Sequence, residues 1–290
     1  LPGSDVSAVA SPTGDSHGTF VASIMAGNGG GSCIGAGALC NTALGYAPDA
    51  RLYAGTVDYN GALDYADLAS IVQGADAAGA VAINNSWTVS SGGAPLTVAN
   101  SNPTAITGIA GGTAFLNALQ AYATGGATGG VVVFAQSNTR SQSSASLLAG
   151  LPAEIPALEA GWLAVINVLA DFDETNDRIL RVDRRSAACL EAARWCIGAT
   201  GILTGAGLAN TTDYEIGQGT SFAAPQVTGA LGLLAQAFPG LTPAQLRNRL
   251  LASAADAGRA LNVRMRMRGF DAVCRMVAAG LGVGVLPLEA

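Results

Sequence analysis

Charged residues are scarce in this sequence, making up 12% of its 290 residues against about a quarter in an ordinary soluble domain. The net charge is −6, and the first 250 residues contain no basic run, which argues against a nucleic-acid surface. No apolar stretch approaches the length of a membrane-spanning helix, so we expect no membrane span. The sequence begins with neither an initiator Met nor a signal peptide, and we expect its N-terminus to be truncated.

Half of the residues are apolar, and five are cysteines. Two cysteine pairs share one spacing, with six residues between Cys33 and Cys40 and six between Cys189 and Cys196, while Cys274 is left over. This spacing favours two local disulfides and an oxidising compartment over buried free thiols. No cysteine motif of a zinc site is present, and the acidic stretch 171–177 lacks the glycine of a calcium-binding loop. The carboxylates of 171–177 leave calcium binding open, but we interpret this stretch as a solvated loop. We assign no metal ligands and expect no cofactor.

Short apolar segments alternate with amphipathic segments along the chain, which predicts an α/β fold. A mostly parallel sheet covered by helices on both faces is the expected architecture. The predicted strands are residues 51–57, 81–87, 130–138 and 162–168. Helical patterns fill residues 62–79 and 113–124, and a capping box of Thr242 and Gln245 predicts that a further helix begins at Pro243.

The segment GTSFAAPQVTGALGLL, residues 219–234, places Ser221 at the start of an apolar helix. Pro225 suits a first helical turn, where the missing N–H costs nothing. A serine at this place lies near unpaired backbone N–H groups and the positive end of the helix dipole, where an oxyanion is stabilised. The alternative is that Ser221 only caps the helix.

Two further residues lie at the start of a helix or the end of a strand, where α/β proteins place their chemistry. His17 is the only histidine of the chain and precedes a short apolar helix ending at Gly27. Any mechanism that needs an imidazole base must use it. Asn138 ends the apolar segment GVVVFAQSN, and its amide could donate to a developing oxyanion.

Together these motifs resemble those of the subtilases, the subtilisin-like serine proteases, and in particular subtilases of bacterial autotransporters. HGTFVASI is similar to the histidine motif and GTSFAAP to the serine motif, while VAINNSW resembles the substrate-binding strand and VVVFAQSN the strand that ends in the oxyanion asparagine. The resemblance covers about residues 10–258. It implies that a peptide or protein substrate pairs near Ser86 and Trp87, that the enzyme is secreted or on a bacterial cell surface, and that Ser221, His17 and Asn138 catalyse acyl transfer.

The resemblance also has a gap, because the family carries a catalytic Asp on a first central strand well before the histidine. Only 16 residues precede His17, and neither Asp5 nor Asp15 follows an apolar strand. We assign no catalytic Asp and expect impaired activity. The alternative function is that of a non-catalytic remnant that binds peptides or has a structural role.

Residues 259–290 differ in character from the rest. Arginines alternate with apolar residues over 263–268, and a helical and a strand-like segment follow. Residues 262–287 resemble part of the effector-binding domain of LysR-type transcription regulators. We interpret the chain as a truncated peptidase domain at 1–258 with a foreign tail at 259–290, and infer no DNA binding from that tail.

Overall fold

The structure is a computed structural model that describes residues 17–27, 44–55, 64–126, 128–173, 178–207 and 214–257. Its helices are α1 (His17–Ala26), α2 (Tyr65–Ala77), α3 (Thr104–Thr107), α4 (Gly112–Thr124), α5 (Thr220–Ala237) and α6 (Pro243–Ala257). Its strands are β1 (Ala82–Asn85), β2 (Ser90–Ser91), β3 (Ala94–Pro95), β4 (Val131–Ala135), β5 (Trp162–Asp173), β6 (Arg178–Arg184), β7 (Cys196–Thr200), β8 (Ile202–Ala206) and β9 (Tyr214–Gln218).

The central sheet is mostly parallel, as the sequence predicts. Strand β4 pairs in parallel with β1 and β5, and β5 pairs in parallel with β7. Strand β6 is antiparallel to the outer half of β5. Within the described ranges, β1 has a paired strand on one side only. Two antiparallel hairpins, β2–β3 and β8–β9, lie outside this sheet.

Helices cover both faces of the sheet because successive side chains of β4 and β5 point to opposite sides. Val132 and Phe134 face a core formed mainly with α2 and α4. Val131 and Val133 face a second core, formed with α5 and α6. All five residues of β4 are buried, as expected of a strand covered on both faces.

The predicted helices form where their patterns place them. Asp64 is the N-cap of helix α2, and its side chain accepts a hydrogen bond from the Ala66 N–H at 2.8 Å. Helix α6 begins at Pro243, and the predicted capping box closes it. The Thr242 N–H donates to Gln245 Oε1 at 2.8 Å, and the Gln245 N–H donates to Thr242 Oγ1 at 3.4 Å. These local signals need no tertiary information.

The prediction of a strand over 51–57 is wrong for residues 51–55, which form no strand. This segment packs on helix α2 instead of joining the sheet. Gly55 lies directly against the side chain of Ile71, and the Tyr53 ring lies against Gly74. Tyr53 remains 45% exposed, so the apolar segment covers a helix surface without pairing its backbone. Residues 56–57 lie outside the described residues.

The predicted Cys189–Cys196 disulfide is confirmed and closes a short 3-10 helical loop, Leu190–Trp195. The predicted Cys33–Cys40 bridge, the unpaired Cys274 and the tail 259–290 all lie outside the described residues.

Of the acidic stretch 171–177, the first three residues belong to β5 instead of the predicted loop, and the other four lie outside the described residues. Among the described helices, none combines the length and hydropathy that crossing a bilayer requires.

Candidate active site

Ser221 is the second residue of α5, at the edge of the sheet where β1 and β4 end. The sequence predicts Pro225 in the first turn of the helix, and this prediction is wrong. Pro225 is the sixth residue of α5 and lies inside the helix. Proline has no backbone N–H, so the Ser221 carbonyl receives no hydrogen bond from residue 225. That carbonyl instead accepts a hydrogen bond from Ser86 Oγ at 2.8 Å. The proline thus frees the Ser221 carbonyl for a partner outside the helix.

Ser86 and Ser221 are joined by two reciprocal hydrogen bonds. Besides the bond to the Ser221 carbonyl, Ser221 Oγ donates to the Ser86 carbonyl at 3.2 Å. Asn84 Nδ2 donates to Ser86 Oγ at 2.9 Å and orients it. These bonds fix the start of α5 against the residue that follows β1.

Asn138 lies beside the same helix start, three residues beyond the end of β4. Its Oδ1 accepts a hydrogen bond from the Thr220 N–H at 2.9 Å and lies 3.1 Å from Thr220 Oγ1. Thr220 Oγ1 also lies 2.6 Å from the Gln136 carbonyl oxygen, to which it donates its single hydrogen. Because Oδ1 accepts the hydrogen bond from Thr220, the Nδ2 group is the end of the exposed Asn138 amide that can donate to another molecule. Thr220, which the sequence analysis did not single out, therefore orients this amide.

His17 is the first residue of α1, and α1 packs against α5. Its imidazole ring lies 5.7 Å from the ring of Phe222, the residue after Ser221, measured between centroids. Phe20, one turn further along α1, packs against the same phenyl ring with a centroid distance of 4.4 Å and tilted ring planes. The ring of Phe222 thus connects the histidine helix to the serine helix. His17 lies near Phe222, the residue after Ser221, and Asn138 lies beside Thr220, the residue before it.

Trp87, predicted to lie at the substrate, packs its ring into the core beside Phe115 and Phe134 at centroid distances of 6.0 and 5.6 Å. The indole is half-buried, so part of its side chain packs in the core and part is exposed. Thr88 and Ser137 occupy positions where the subtilases that this sequence resembles usually have glycine. Thr88 is exposed, and Ser137 Oγ accepts from the Thr139 N–H at 3.1 Å.

The end of β6 meets the segment that follows β4, beside Asn138. Along one edge of β5, the Val165 carbonyl accepts the Gln136 N–H at 2.9 Å and the Asn167 carbonyl accepts the Arg185 N–H at 2.8 Å. Alternate carbonyls of a strand point to the same side. The end of β6 therefore lies along the same edge of β5 as β4, beyond the point where β4 ends. The Ala187 N–H then donates to the Ser137 carbonyl at 2.9 Å. No sequence motif predicts this contact, since the contacting residues lie far apart in the chain.

The disulfide loop, Leu190–Trp195, is bonded through Glu191 to Ser144 and Ala145, further along the segment that follows β4. Glu191 accepts hydrogen bonds from Ser144 Oγ at 2.8 Å and from the Ala145 N–H at 2.7 Å. Burial acts to raise the pKa of Glu191, but these hydrogen bonds outweigh burial and leave its pKa below the usual value. The described part of the chain contains no group of three or more His, Cys, Asp or Glu residues that could hold a metal ion.

Comparison with known proteins identifies the family. The model of the subtilase family, Peptidase S8, matches residues 4–270. A curated relative, serotype-specific antigen 1 of Mannheimia haemolytica, is 32% identical over 134 residues. That alignment covers 44% of this chain and 13% of the relative, so the chain matches only a small part of that protein's length.

Several solved protease structures share the fold. The self-cleaved protease domain of PatA has a TM-score of 0.59 and 25% identity, covering 98% of this chain and 91% of that one. The prenylagaramide maturation protease PagA has a TM-score of 0.55 and 24% identity, covering 87% and 77%. Sphericase has a TM-score of 0.55 and 21% identity, covering 82% and 68%.

Proposed function

The chain belongs to the subtilase family of serine proteases, and on that premise we propose that Ser221, His17 and Asn138 carry out peptide-bond hydrolysis. The observation that carries this proposal is the place of Ser221 at the start of α5, with the Asn138 amide held beside it through Thr220. A hydroxyl and an oxyanion donor on neighbouring elements support a role in acyl transfer.

In the proposed reaction, His17 accepts the proton of the Ser221 hydroxyl as Oγ attacks the carbonyl carbon of the substrate. The carbonyl oxygen becomes an oxyanion, to which Asn138 Nδ2 and the backbone N–H groups at the start of α5 donate hydrogen bonds. The protonated His17 gives its proton to the leaving amine, and water then hydrolyses the acyl-enzyme. An oxyanion donor of this kind lowers the barrier by about 3–4 kcal/mol.

The substrate in this proposal is an extended peptide whose backbone lies beside the residues after β1. Ser86 has its hydroxyl and carbonyl engaged with Ser221, so it contributes by fixing the nucleophile, and the backbone near Trp87 is available to the peptide. No cofactor is part of the proposal.

The finer part of the proposal is that these 290 residues hydrolyse peptides slowly, because no Asp is assigned to orient His17. In subtilisin, a member of the same family, loss of that Asp alone lowers turnover by about 3 × 10⁴-fold, roughly 6 kcal/mol in the barrier. The alternative, a non-catalytic remnant, predicts peptide binding with no turnover at all.

Hydrolysis of a chromogenic peptide tests both statements. We expect slow release of the chromophore that disappears in Ser221→Ala and persists in Ser90→Ala, an exposed serine of β2 that serves as the matched control. Rapid turnover abolished by Ser221→Ala would overturn the proposed impairment. Release that is unchanged in Ser221→Ala would overturn the proposed catalytic role.

We also propose that the protein acts outside the cytoplasm, as a secreted or cell-surface enzyme. The Cys189–Cys196 disulfide supports this location because disulfides persist in oxidising compartments. The match to a bacterial protein described as a serotype-specific antigen points the same way.

A further inference from the structure

We propose that arginines beside Asn138 select substrates with an acidic side chain within about two residues of the scissile bond. We call Arg140, Arg184 and Arg185 the arginine rim. The proposal rests on the proposed peptidase function and names the class of substrate that the same site prefers.

The first argument is position. Arg140 follows Asn138 by two residues, so their Cα atoms are at most about 7 Å apart. Arg184 and Arg185 come from the end of β6, which reaches the same place along β5. Arg184 Nη1 donates to the Arg140 carbonyl at 3.0 Å, which joins the two segments directly. An extended substrate advances about 3.3 Å per residue, so side chains one or two residues from the scissile bond come within reach of these guanidinium groups.

The second argument is charge. Asp183, which precedes Arg184 in the chain, is engaged by Arg181, which donates to both of its oxygens at 2.6 and 2.7 Å. Arg185 Nη2 forms a long ion pair with Asp183 Oδ2 at 3.9 Å, without a hydrogen bond, so this one carboxylate faces both Arg181 and Arg185. Arg184 donates to the main-chain carbonyls of Arg140 and Ser186, so its charge is not neutralised there. The rim therefore keeps a positive charge that a substrate carboxylate can complement.

The electrostatics at Asp183 support this placement. The hydrogen bond from Arg181 lowers the pKa of Asp183, and the charges of Arg181, Arg185 and Arg140 lower that pKa further. Arg140 and Arg185 thus both lie close enough to influence the Asp183 carboxylate, although 45 positions separate them in the sequence. The other carboxylate near this segment, Glu191, has its oxygens occupied by Ser144 and Ala145.

The third argument is chemistry. Every basic residue in the sequence except His17 is an arginine, and there is no lysine. A planar guanidinium presents parallel N–H donors that match the two oxygens of a carboxylate, so it distinguishes Glu from its neutral isostere Gln. The chain as a whole carries −6 and repels an acidic peptide, so the preference must come from this local site and must weaken as salt screens it.

The test compares two fluorescent peptides that differ only by Glu or Gln, with that residue placed one or two positions to either side of the cleaved bond. Binding is measured by anisotropy on the full chain carrying Ser221→Ala, so the result does not depend on turnover. We expect about tenfold tighter binding of the Glu peptide in at least one register. That difference should fall to twofold or less with Arg140→Gln and Arg185→Gln combined, or with added salt.

Arg194→Gln is the matched control. It removes one exposed arginine that pairs with Glu159 at 3.1 Å, at the opposite edge of the sheet where β5 begins. The Glu preference should be unchanged in this variant. Equal binding of both peptides, binding of neither, or a preference that survives the double substitution would overturn the proposal. Covalent labelling of Ser221 by a small fluorophosphonate, which carries no peptide side chain, reports separately on the proposed peptidase function.

Discussion

The link between Ser86, Ser221 and Pro225 makes a quantitative prediction about stability. Ser86→Ala removes the hydroxyl that donates to the Ser221 carbonyl at 2.8 Å. Because Pro225 has no N–H, that half-buried carbonyl would then have no helical donor. An unsatisfied group of this kind costs about 1–2 kcal/mol in the free energy of unfolding. For a chain of this size the melting temperature should fall by about 2–4 °C for each kcal/mol.

The same substitution should cost less when residue 225 can donate. In Pro225→Ala the new N–H can reach the Ser221 carbonyl by the ordinary helical bond, four residues back. We expect Ser86→Ala to cost about 0.5 kcal/mol in that background, which gives a coupling energy of about 1 kcal/mol. Loss of the bond from Asn84 Nδ2 to Ser86 Oγ is common to both backgrounds and cancels in the cycle.

Urea unfolding of the four proteins, followed by tryptophan fluorescence, measures the coupling. Trp162 and Trp195 are buried and report on the core. The sign of the Pro225→Ala effect alone does not matter, because the coupling is a difference of differences. A Ser86→Ala cost that agrees within about 0.3 kcal/mol in the two backgrounds would refute the argument that the proline leaves the Ser221 carbonyl to Ser86.

Three further predictions concern other parts of the chain. Replacing Cys189 and Cys196 together by Ser should lower the free energy of unfolding by about 2–3 kcal/mol, and peptide mapping of the oxidised protein should find this pair and Cys33–Cys40 without cross-pairing. Burial raises the pKa of Tyr122, Tyr46 and Tyr65 in the folded state, so the unfolded chain ionises first and stability should fall as the pH rises above about 10. Tyr122→Phe should make that fall less steep in unfolding experiments across pH 8–11. Deleting residues 259–290 should change the melting temperature by no more than a few degrees, and a larger loss would show that the tail is an integral part of the fold.

The elements that the sequence predicted well are those specified by local signals. The capping box is recognised from Thr242 and Gln245 alone, which are three positions apart. Strand β4 is recognised from its own run of apolar residues. The apolar segment 51–57 was predicted as a strand for the same reason, but residues 51–55 lie on α2. A strand requires a neighbouring backbone, and the pattern of one segment carries no information about its neighbour.

The sequence suggests which residues form the site, but it does not show how they are connected. Ser221, His17 and Asn138 are predictions that rest on their places at helix starts and strand ends and on the family motifs. The role of Thr220 in orienting Asn138 and of Ser86 in holding Ser221 depends on hydrogen bonds across 82 and 135 residues. Pro225 was placed in the first turn because the helix start was taken too late, and the structure begins α5 at Thr220.

The central claim is that Ser221 is a nucleophile activated by His17, and covalent labelling tests it most directly. The full chain is treated with a fluorophosphonate, and peptide mass spectrometry locates the adduct. We predict an adduct on Ser221 that forms slowly and is lost in both Ser221→Ala and His17→Ala, while circular dichroism shows all three proteins folded. A folded protein that acquires no adduct, an adduct on another residue, or labelling that persists at the same rate in His17→Ala would contradict the claim.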